Sequence, residues 1–521
     1  MRRGATQVAL AVSLSRIAGL IRERIFAQYL GTSDAADAYG AALRIPMLMD
    51  SVFGDRVMSS AFIPRYSRLL AEGSRAESTR LAWAVASIQS LMVAAVVLAG
   101  VLLAPHLVAW IAPGFGVEKA ALTVRLVRIL FPAIGLLALG SWCLGVLNSH
   151  RRFFLPYIVP ILSAGSISAA VIWAGSGRDR ADIAVAAAWG ALAGAALQVL
   201  AQLPWVVRAA GHGRAGRESA GEHLREVGRN ALPATARGLV GRLGTWVEVA
   251  IAGFISTGAL AGLNYAQLLY SLPVGLFTVA ISAAMLPELS AATADSSTVV
   301  SKLAVALDSA LRHTAFLLVA CAVAFIALGD VITAAVYQGG HFTSDDVVYV
   351  WVILAASSVG LVGSSMGGLH ATAFYAIGDA KTPLRAALVR LGARAVLGVL
   401  LGIPMVRLLG LEPKWGAAGL GAAIGISGWV EFLLLRRWLD DRLGLVRSPQ
   451  FVPYLITLWL IAALAATAAW VVKLAIPAEG PITRAAAVLG TYGIAYLGIT
   501  LVAGLREPRT LLTQLRSFVV R

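Results

Sequence analysis

The chain has 521 residues, of which 59% are hydrophobic and only 13% charged, and its formal net charge is +16 at pH 7. A soluble protein of this length could not bury so much apolar surface, so the composition indicates a membrane protein. The basic residues lie mostly in short loops between apolar runs, which argues against a nucleic-acid-binding face. Cys143 and Cys321 lie far apart in apolar segments, so we expect neither a disulfide framework nor a thiolate metal site.

Apolar runs of about 20 residues recur along the chain, and each is long enough to cross a bilayer as a helix. Continuous runs such as 91–103 favour helices over the alternating strands of a β-barrel. Fourteen spans are predicted in chain order, near 7–30, 36–67, 81–111, 119–148, 153–175, 182–209, 231–256, 261–291, 302–337, 346–376, 382–409, 415–439, 450–474 and 482–505. The sequence therefore predicts an all-α polytopic membrane protein.

The loops predict an orientation in the membrane. Lys and Arg are concentrated in alternate loops, among them the turn 150–152, the polar connector 212–230 and the tail 506–521. Because basic loops stay on the cytoplasmic side, we expect both termini in the cytoplasm.

An internal repeat predicts the domain organisation. Residues 60–67 (SAFIPRYS) resemble residues 283–290 (AAMLPELS), and the turn 148–156 parallels the turn 378–383. Duplicated transporter halves usually bind substrate at their interface. The predicted parts are an N-terminal six-helix half (1–211), a cytoplasmic connector (212–230), a C-terminal six-helix half (231–445), and two additional helices with a basic tail (446–521).

Arginines inside the predicted spans are the strongest sign of function. An ionised side chain in a span costs about 2.5–3.5 kcal/mol, so it usually faces a cavity or a partner. The first helix carries Arg16 and Arg22, and the seventh carries Arg237 and Arg242. A guanidinium binds phosphate in bidentate fashion, which favours a lipid diphosphate as ligand. The alternative is that such arginines snorkel to a membrane face, and we favour it for Arg24.

Enzymatic motifs do not fit their context. Residues 363–367 (GSSMG) match a nucleophile-elbow pattern but lie inside an apolar helix, where small residues indicate helix packing. No phosphate-loop or zinc-protease pattern occurs in the sequence, so we expect a transporter without ATP hydrolysis, metal or cofactor.

Several stretches together resemble one known family. They include 15–24 (SRIAGLIRER), 59–64 (SSAFIP), 145–153 (GVLNSHRRF), 338–343 (QGGHFT) and 374–383 (FYAIGDAKTP). These stretches occur in the same order over about three quarters of the chain. Together they identify a family far more specifically than any single short motif could. The chain thus resembles the MviN/MurJ lipid II flippases of the multidrug/oligosaccharidyl-lipid/polysaccharide exporter superfamily.

The resemblance implies a MATE-like arrangement of two six-helix halves plus two C-terminal helices. It implies export of a polyprenyl-diphosphate-linked peptidoglycan precursor across the bacterial cytoplasmic membrane by alternating access. The partners would be that precursor, membrane lipids and the cell-wall synthesis machinery, with no nucleic acid. It also implies that Ser15, Arg16, Arg22 and Asp37 occupy cavity positions.

Two positions depart from the family pattern. Asp50 begins the segment where the family has a basic pair, and Gln267-Leu268 replace an arginine of the eighth helix. Arg237 and Arg242 would compensate for the lost cations. The competing hypotheses are an exporter of another lipid-linked oligosaccharide, a transport-inactive membrane scaffold, and a drug or cation exporter, against which the cationic cavity argues.

Overall fold

The computed structural model describes residues 2–175, 177–211, 235, 242–278, 299–443, 451–475 and 480–509. All long regular elements in these ranges are helices, which confirms the predicted all-α class. The chain forms two compact units. The first unit contains Met1–Ala261 and Gly339–Phe342, and the second contains Gly262–Gln338 and Thr343–Arg521.

The first unit is built mainly from long helices that pack side by side. Its elements are α1 (Arg2–Leu30), α2 (Asp34–Arg44), α3 (Leu48–Phe53), α4 (Asp55–Val57), a π-helical turn (Met58–Phe62), α5 (Ile63–Ala71), α6 (Arg75–Leu102), α7 (Ala104–Ile111), α8 (Val117–Ser149), α9 (Phe154–Ile158), α10 (Pro160–Ala174), α11 (Arg180–Ala210) and α12 (242–253).

The second predicted span, 36–67, is broken into short helices. The turn 45–47 contains Pro46, and Gly54 separates α3 from α4. Proline has no N–H and its ring clashes with the preceding helical turn, so a continuous helix cannot pass position 46 without strain. The predicted second span is therefore a series of short helices rather than one continuous helix.

The second unit continues the helical architecture. Its elements are α13 (Ala259–Pro273, whose first three residues belong to the first unit), a π-helical turn (Val274–Thr278), α14 (Val299–Tyr337), α15 (Ser344–Ser358), α16 (Leu361–Ala376), α17 (Lys381–Gly402), α18 (Pro404–Leu408), a 3₁₀ turn (Pro413–Trp415), α19 (Gly416–Leu443), α20 (Phe451–Ala475) and α21 (Pro481–Val502). The predicted span 346–376 bends by 43° between α15 and α16.

Nine helices among the described residues are long and apolar enough to cross a membrane, or ten if the bent pair is one span. The predicted number of about fourteen stays a prediction, because parts of the seventh and eighth predicted spans lie outside the described residues. The connector 212–230 and the repeat segment 283–290 also lie outside them. Helix α12 packs in the first unit, and the unit boundary falls after Ala261.

The GSSMG segment lies within α16 and packs against α19. A Cβ atom added to Gly363 would lie 2.6 Å from the Trp429 ring, so only glycine permits this close approach. The interpretation of this segment as a helix-packing motif is therefore confirmed.

The two C-terminal helices dock on α14 through side-chain donors. The hydroxyls of Tyr496 and Tyr492 donate to the carbonyls of Phe316 and Ala320, each at 2.7 Å. The indole of Trp470 donates to the Ala327 carbonyl at 2.9 Å. Lys473 of α20 forms an ion pair with Asp330 of α14 at 2.6 Å. These contacts follow one stripe of α14 and hold α20 and α21 on the second unit.

Candidate functional site

The predicted residues of α1 have different environments. Ser15 is half-buried, and its hydroxyl donates to the Tyr157 carbonyl at 2.6 Å. That carbonyl belongs to the last turn of α9, where helical carbonyls lack partners within the helix. Ser15 therefore joins α1 to the break between α9 and α10. The side chain of Arg16, one residue further, is exposed.

Arg22 lies deeper along α1 and forms an ion pair with its neighbour Glu23. The side chains of Arg22 and Glu23 keep 34% and 26% of their surface exposed. Phe26, one helical turn further, packs against Tyr39 of α2 with ring centroids 4.8 Å apart. Arg22 therefore lies in the C-terminal third of α1, the part nearest α2 in the chain, and its side chain is partly accessible.

Among the predicted site residues that the structure describes, Asp37 is the most deeply buried, with 1% of its surface exposed. Its Oδ2 atom lies 2.5 Å from Lys119 Nζ and accepts a hydrogen bond from the Gly258 N–H at 2.9 Å. Its Oδ1 atom accepts a hydrogen bond from the Ala261 N–H at 2.7 Å. The carboxylate therefore caps the N-terminus of α13, where a negative charge is stabilised by the free N–H groups and the helix dipole.

Lys119, in the first turn of α8, was not among the predicted residues. Besides Asp37, it contacts Asp34 Oδ1 at 2.9 Å, and its ammonium lies 4.4 Å from the centre of the Phe115 ring. A single lysine at the start of an apolar helix is a signal for a buried counterion, but the sequence does not say which carboxylate it meets.

Arg242 and Arg44 join α12 to the end of α2. Arg242 Nη1 lies 3.4 Å from the sulfur of Met47. Arg44 Nη1 lies 3.2 Å from Glu248 Oε2 and 3.3 Å from the Thr245 carbonyl. Glu248 is 2% exposed, so this ion pair is buried. Neither Arg44 nor Glu248 was in the predicted site, although both are charged residues inside predicted spans.

Arg237 lies outside the described residues, and the convergence of Arg16, Arg22, Arg237 and Arg242 on one cavity stays a prediction. On α13, Gln267 and Leu268, where the resemblance led us to expect an arginine, are half-buried. The buried amide nitrogen of Gln267 has no hydrogen-bond partner among the described residues. It is a donor that a ligand could use.

The arrangement supports binding rather than catalysis. Guanidinium groups of α1 and α12 in the first unit can bind anionic oxygens, while Asp37 and Glu248 are engaged by basic side chains. Within the described ranges, no group of three or more His, Cys, Asp and Glu residues is placed to hold a metal ion.

Comparison with solved structures defines the class of protein. The fold is similar to that of a MATE multidrug-resistance transporter in an inward-facing conformation, with a TM-score of 0.67, 16% identity, and coverage of 85% of this chain and 98% of that one. It is also similar to lipid II flippase MurJ in its inward closed conformation, with a TM-score of 0.76, 23% identity, and coverage of 96% and 99%. The chain therefore has the fold of a multi-pass membrane transporter.

Sequence comparison identifies the family. The model of the family described as lipid II flippase MurJ matches residues 26–484. The lipid II flippase MurJ of Burkholderia cenocepacia is 30% identical over 462 residues, which cover 85% of each chain. A probable lipid II flippase MurJ of Rhizobium meliloti is 28% identical over 452 residues, covering 84% of this chain and 82% of the relative. The chain belongs to the lipid II flippase MurJ family, and is a multi-pass protein of the bacterial inner membrane.

Proposed function

We propose that this protein moves lipid II, a polyprenyl-diphosphate-linked peptidoglycan precursor, across the cytoplasmic membrane by alternating access. The family match over most of the chain is the observation that carries the proposal. The arginines of α1 and α12 support it, because a diphosphate requires fixed cationic donors inside an otherwise apolar protein. We further propose that both termini are cytoplasmic and that the cell-wall synthesis machinery is a partner.

Within the predicted site we assign two kinds of role. Arg16, Arg22, Arg237 and Arg242 are proposed to contact the diphosphate. Ser15 and Asp37 are proposed to hold the neighbouring helices in position rather than to contact the diphosphate. The Ser15 hydroxyl already donates to the Tyr157 carbonyl, and both carboxylate oxygens of Asp37 already accept hydrogen bonds. This division follows from the contacts of the two side chains within the first unit.

The test is complementation of a bacterium depleted of its own flippase, with lipid II accessibility at the outer membrane face as the readout. We expect Arg22→Ala and Arg242→Ala to lose transport, because each lost charged hydrogen bond costs about 1.5–3 kcal/mol, which is a factor of about 10 to 150. Lysine at either position should restore transport only in part, because it keeps the charge without the bidentate geometry.

Arg24→Ala is the matched control, since Arg24 lies on the same helix and is expected to snorkel. Equal amounts of folded, membrane-inserted protein must be shown for each variant. Full transport by both Arg22→Ala and Arg242→Ala would remove these arginines from the mechanism. A wild-type chain that never complements would favour a transport-inactive scaffold or another lipid-linked oligosaccharide, as the replacement of family arginines by Asp50 and Gln267-Leu268 suggests.

A further inference from the structure

Equivalent turns in the two units end in the same backbone geometry. After α8, the Arg151 N–H donates to the Asn148 carbonyl at 3.0 Å and the Arg152 N–H to the Leu147 carbonyl at 2.9 Å. After α16, the N–H groups of Gly378 and Asp379 make the corresponding bonds at 3.1 and 2.9 Å. Both turns are Schellman caps, and Arg152 and Asp379 occupy the same position in them.

In the second unit, this position carries an acid that meets a base. Asp379 forms an ion pair with Arg442, in the last turn of α19. Its carboxylate also accepts hydrogen bonds from the N–H groups of Lys381 and Thr382, at 2.9 and 3.0 Å. The charge of Arg442 is therefore compensated within the unit.

In the first unit, the same position is occupied by a basic residue, Arg152, which lies beside a second basic residue, Arg208. The guanidinium carbon of Arg152 lies 5.0 Å from the centre of the Trp205 ring. The guanidinium carbon of Arg208, in the last turn of α11, lies 5.7 Å from that centre. No carboxylate among the described residues pairs with Arg151, Arg152 or Arg208. Two like charges thus share one indole where the second unit has an ion pair.

The turn after α8 also has a non-glycine residue, Arg151, in the left-handed backbone conformation. Arg151 has φ +58°, and no other non-glycine residue in the described ranges has a positive φ. The equivalent residue of the second unit is Gly378, with φ +77°. Glycine adopts this conformation without steric cost, whereas arginine does not. The turn therefore has an arginine, a third basic residue, at a position where glycine would be easier to accommodate.

The level of this cluster along α11 matches a membrane surface. Helix α11 is a candidate span, and its exposed side chains include Trp189, Leu197 and Leu200, at 56%, 46% and 60% exposure. Trp205 is 42% exposed, and Arg208 follows one turn later, in the last turn of the helix. Exposed tryptophan and arginine at the end of an apolar helix are typical of the headgroup region.

We propose that Arg151, Arg152, Arg208 and Trp205 form a binding site for the phosphate of an anionic phospholipid. The lipid phosphate would take the place that the Asp379 carboxylate has beside Arg442 in the second unit, and an acyl chain would lie along the exposed apolar side chains of α11. Basic clusters at the ends of transmembrane helices bind anionic headgroups in this way. None of these four residues is among those proposed to contact the diphosphate, and the proposal does not depend on the proposed transport function.

The test is native mass spectrometry of the purified full chain titrated with phosphatidylglycerol or phosphatidylcholine. We expect the wild type to prefer phosphatidylglycerol. Arg152→Asp should lower that affinity more than fivefold, since each basic residue at an anionic surface contributes about 1 kcal/mol, or a factor of about five. The carboxylate introduced by Arg152→Asp should pair with Arg208 as Asp379 pairs with Arg442. The thermal stability of the Arg152→Asp protein should therefore be at least that of the wild type.

Arg152→Lys tests the charge separately and should keep most of the affinity. Arg178→Ala is the control, because the guanidinium carbon of Arg178 lies 4.3 Å from the centre of the Trp173 ring, beside the start of α11 rather than its end. Phosphatidylglycerol binding by Arg152→Asp at the wild-type level, or an equal loss in Arg178→Ala, would overturn the proposal. Displacement of the lipid by inorganic phosphate, or by undecaprenyl diphosphate at equal concentration, would instead assign the cluster to free phosphate or to the transport substrate.

Discussion

The capping of α13 by Asp37 predicts a large loss of stability in the variant Asp37→Asn. Asparagine has the same size, so the change removes the charge and one acceptor without opening a cavity. The remaining oxygen can still accept from the Ala261 N–H, as Oδ1 does now. The new NH₂ group, however, would face Lys119 Nζ and the Gly258 N–H, and these are both donors.

The magnitude follows from the burial of the pair. Removing one partner of a buried ion pair costs about 3–5 kcal/mol, because the other charge is left without compensation. Lys119 keeps Asp34 as a second partner at 2.9 Å, but 56% of the Asp34 side chain is exposed, so the compensation is partial. We therefore expect a loss near the lower end, about 3 kcal/mol. Asp34→Asn should cost less than about 1 kcal/mol, as for an exposed pair.

The assay is the apparent melting temperature of the purified protein in detergent, measured together with lipid II transport. Asp37→Asn should melt well below the wild type, Asp34→Asn close to it, and the double variant Asp37→Asn/Lys119→Met should lose less than the two single losses combined. An Asp37→Asn protein that melts like the wild type and fails to transport would refute the capping argument. It would place Asp37 in direct contact with the substrate.

Three further outcomes are expected from other described contacts. Tyr492→Phe and Tyr496→Phe should each lower stability by about 0.5–1.5 kcal/mol without a change in fold, because each removes one hydrogen bond to α14, and thermal unfolding would measure this. The Thr382 hydroxyl and backbone hydrogen bonds lower the pKa of Asp379 from 3.8 to about 2. Because the folded pKa is the lower one, the carboxylate stabilises the fold above pH 3.8, and this contribution is lost as the pH falls toward 2. Asp379→Asn should therefore melt below the wild type at pH 7, and the difference should shrink below pH 4. Gln267→Leu should reduce transport more than stability, because the amide nitrogen has no partner among the described residues to lose, and paired transport and melting assays would show it.

The helical architecture was readily predictable because the hydrocarbon thickness sets the length of each apolar run. The predicted span 302–337 corresponds to α14 at Val299–Tyr337. The breaks were harder to predict. Pro46 and Gly54 are visible in the sequence, but the apolar residues around them continue the run, so hydropathy alone does not show where the second span divides.

The contacts of the site could not be predicted, because they depend on which helix faces meet. Lys119 and Asp37 are 82 residues apart, and Arg44 and Glu248 are 204 apart. Each residue is conspicuous in the sequence as a charge in an apolar segment, and the cost of burial implies that it has a partner. The identity of that partner is a tertiary property that helical spacing does not encode.

The ion pairs between helices show why charge inside a span is not by itself evidence of a ligand. Asp37–Lys119 joins α2 to α8, and Glu248–Arg44 joins α12 to α2, in the first unit. Asp330–Lys473 joins α14 to α20, and Glu431–Arg390 joins α19 to α17 at 2.6 Å, in the second. In each pair the two charges compensate each other between helices of one unit, so a diphosphate binding there would have to compete with a carboxylate. Arginines whose partner is adjacent on the same helix, as Glu23 is to Arg22, can exchange that partner for phosphate without separating two helices. This difference makes Arg22 a better candidate for substrate contact than Arg44.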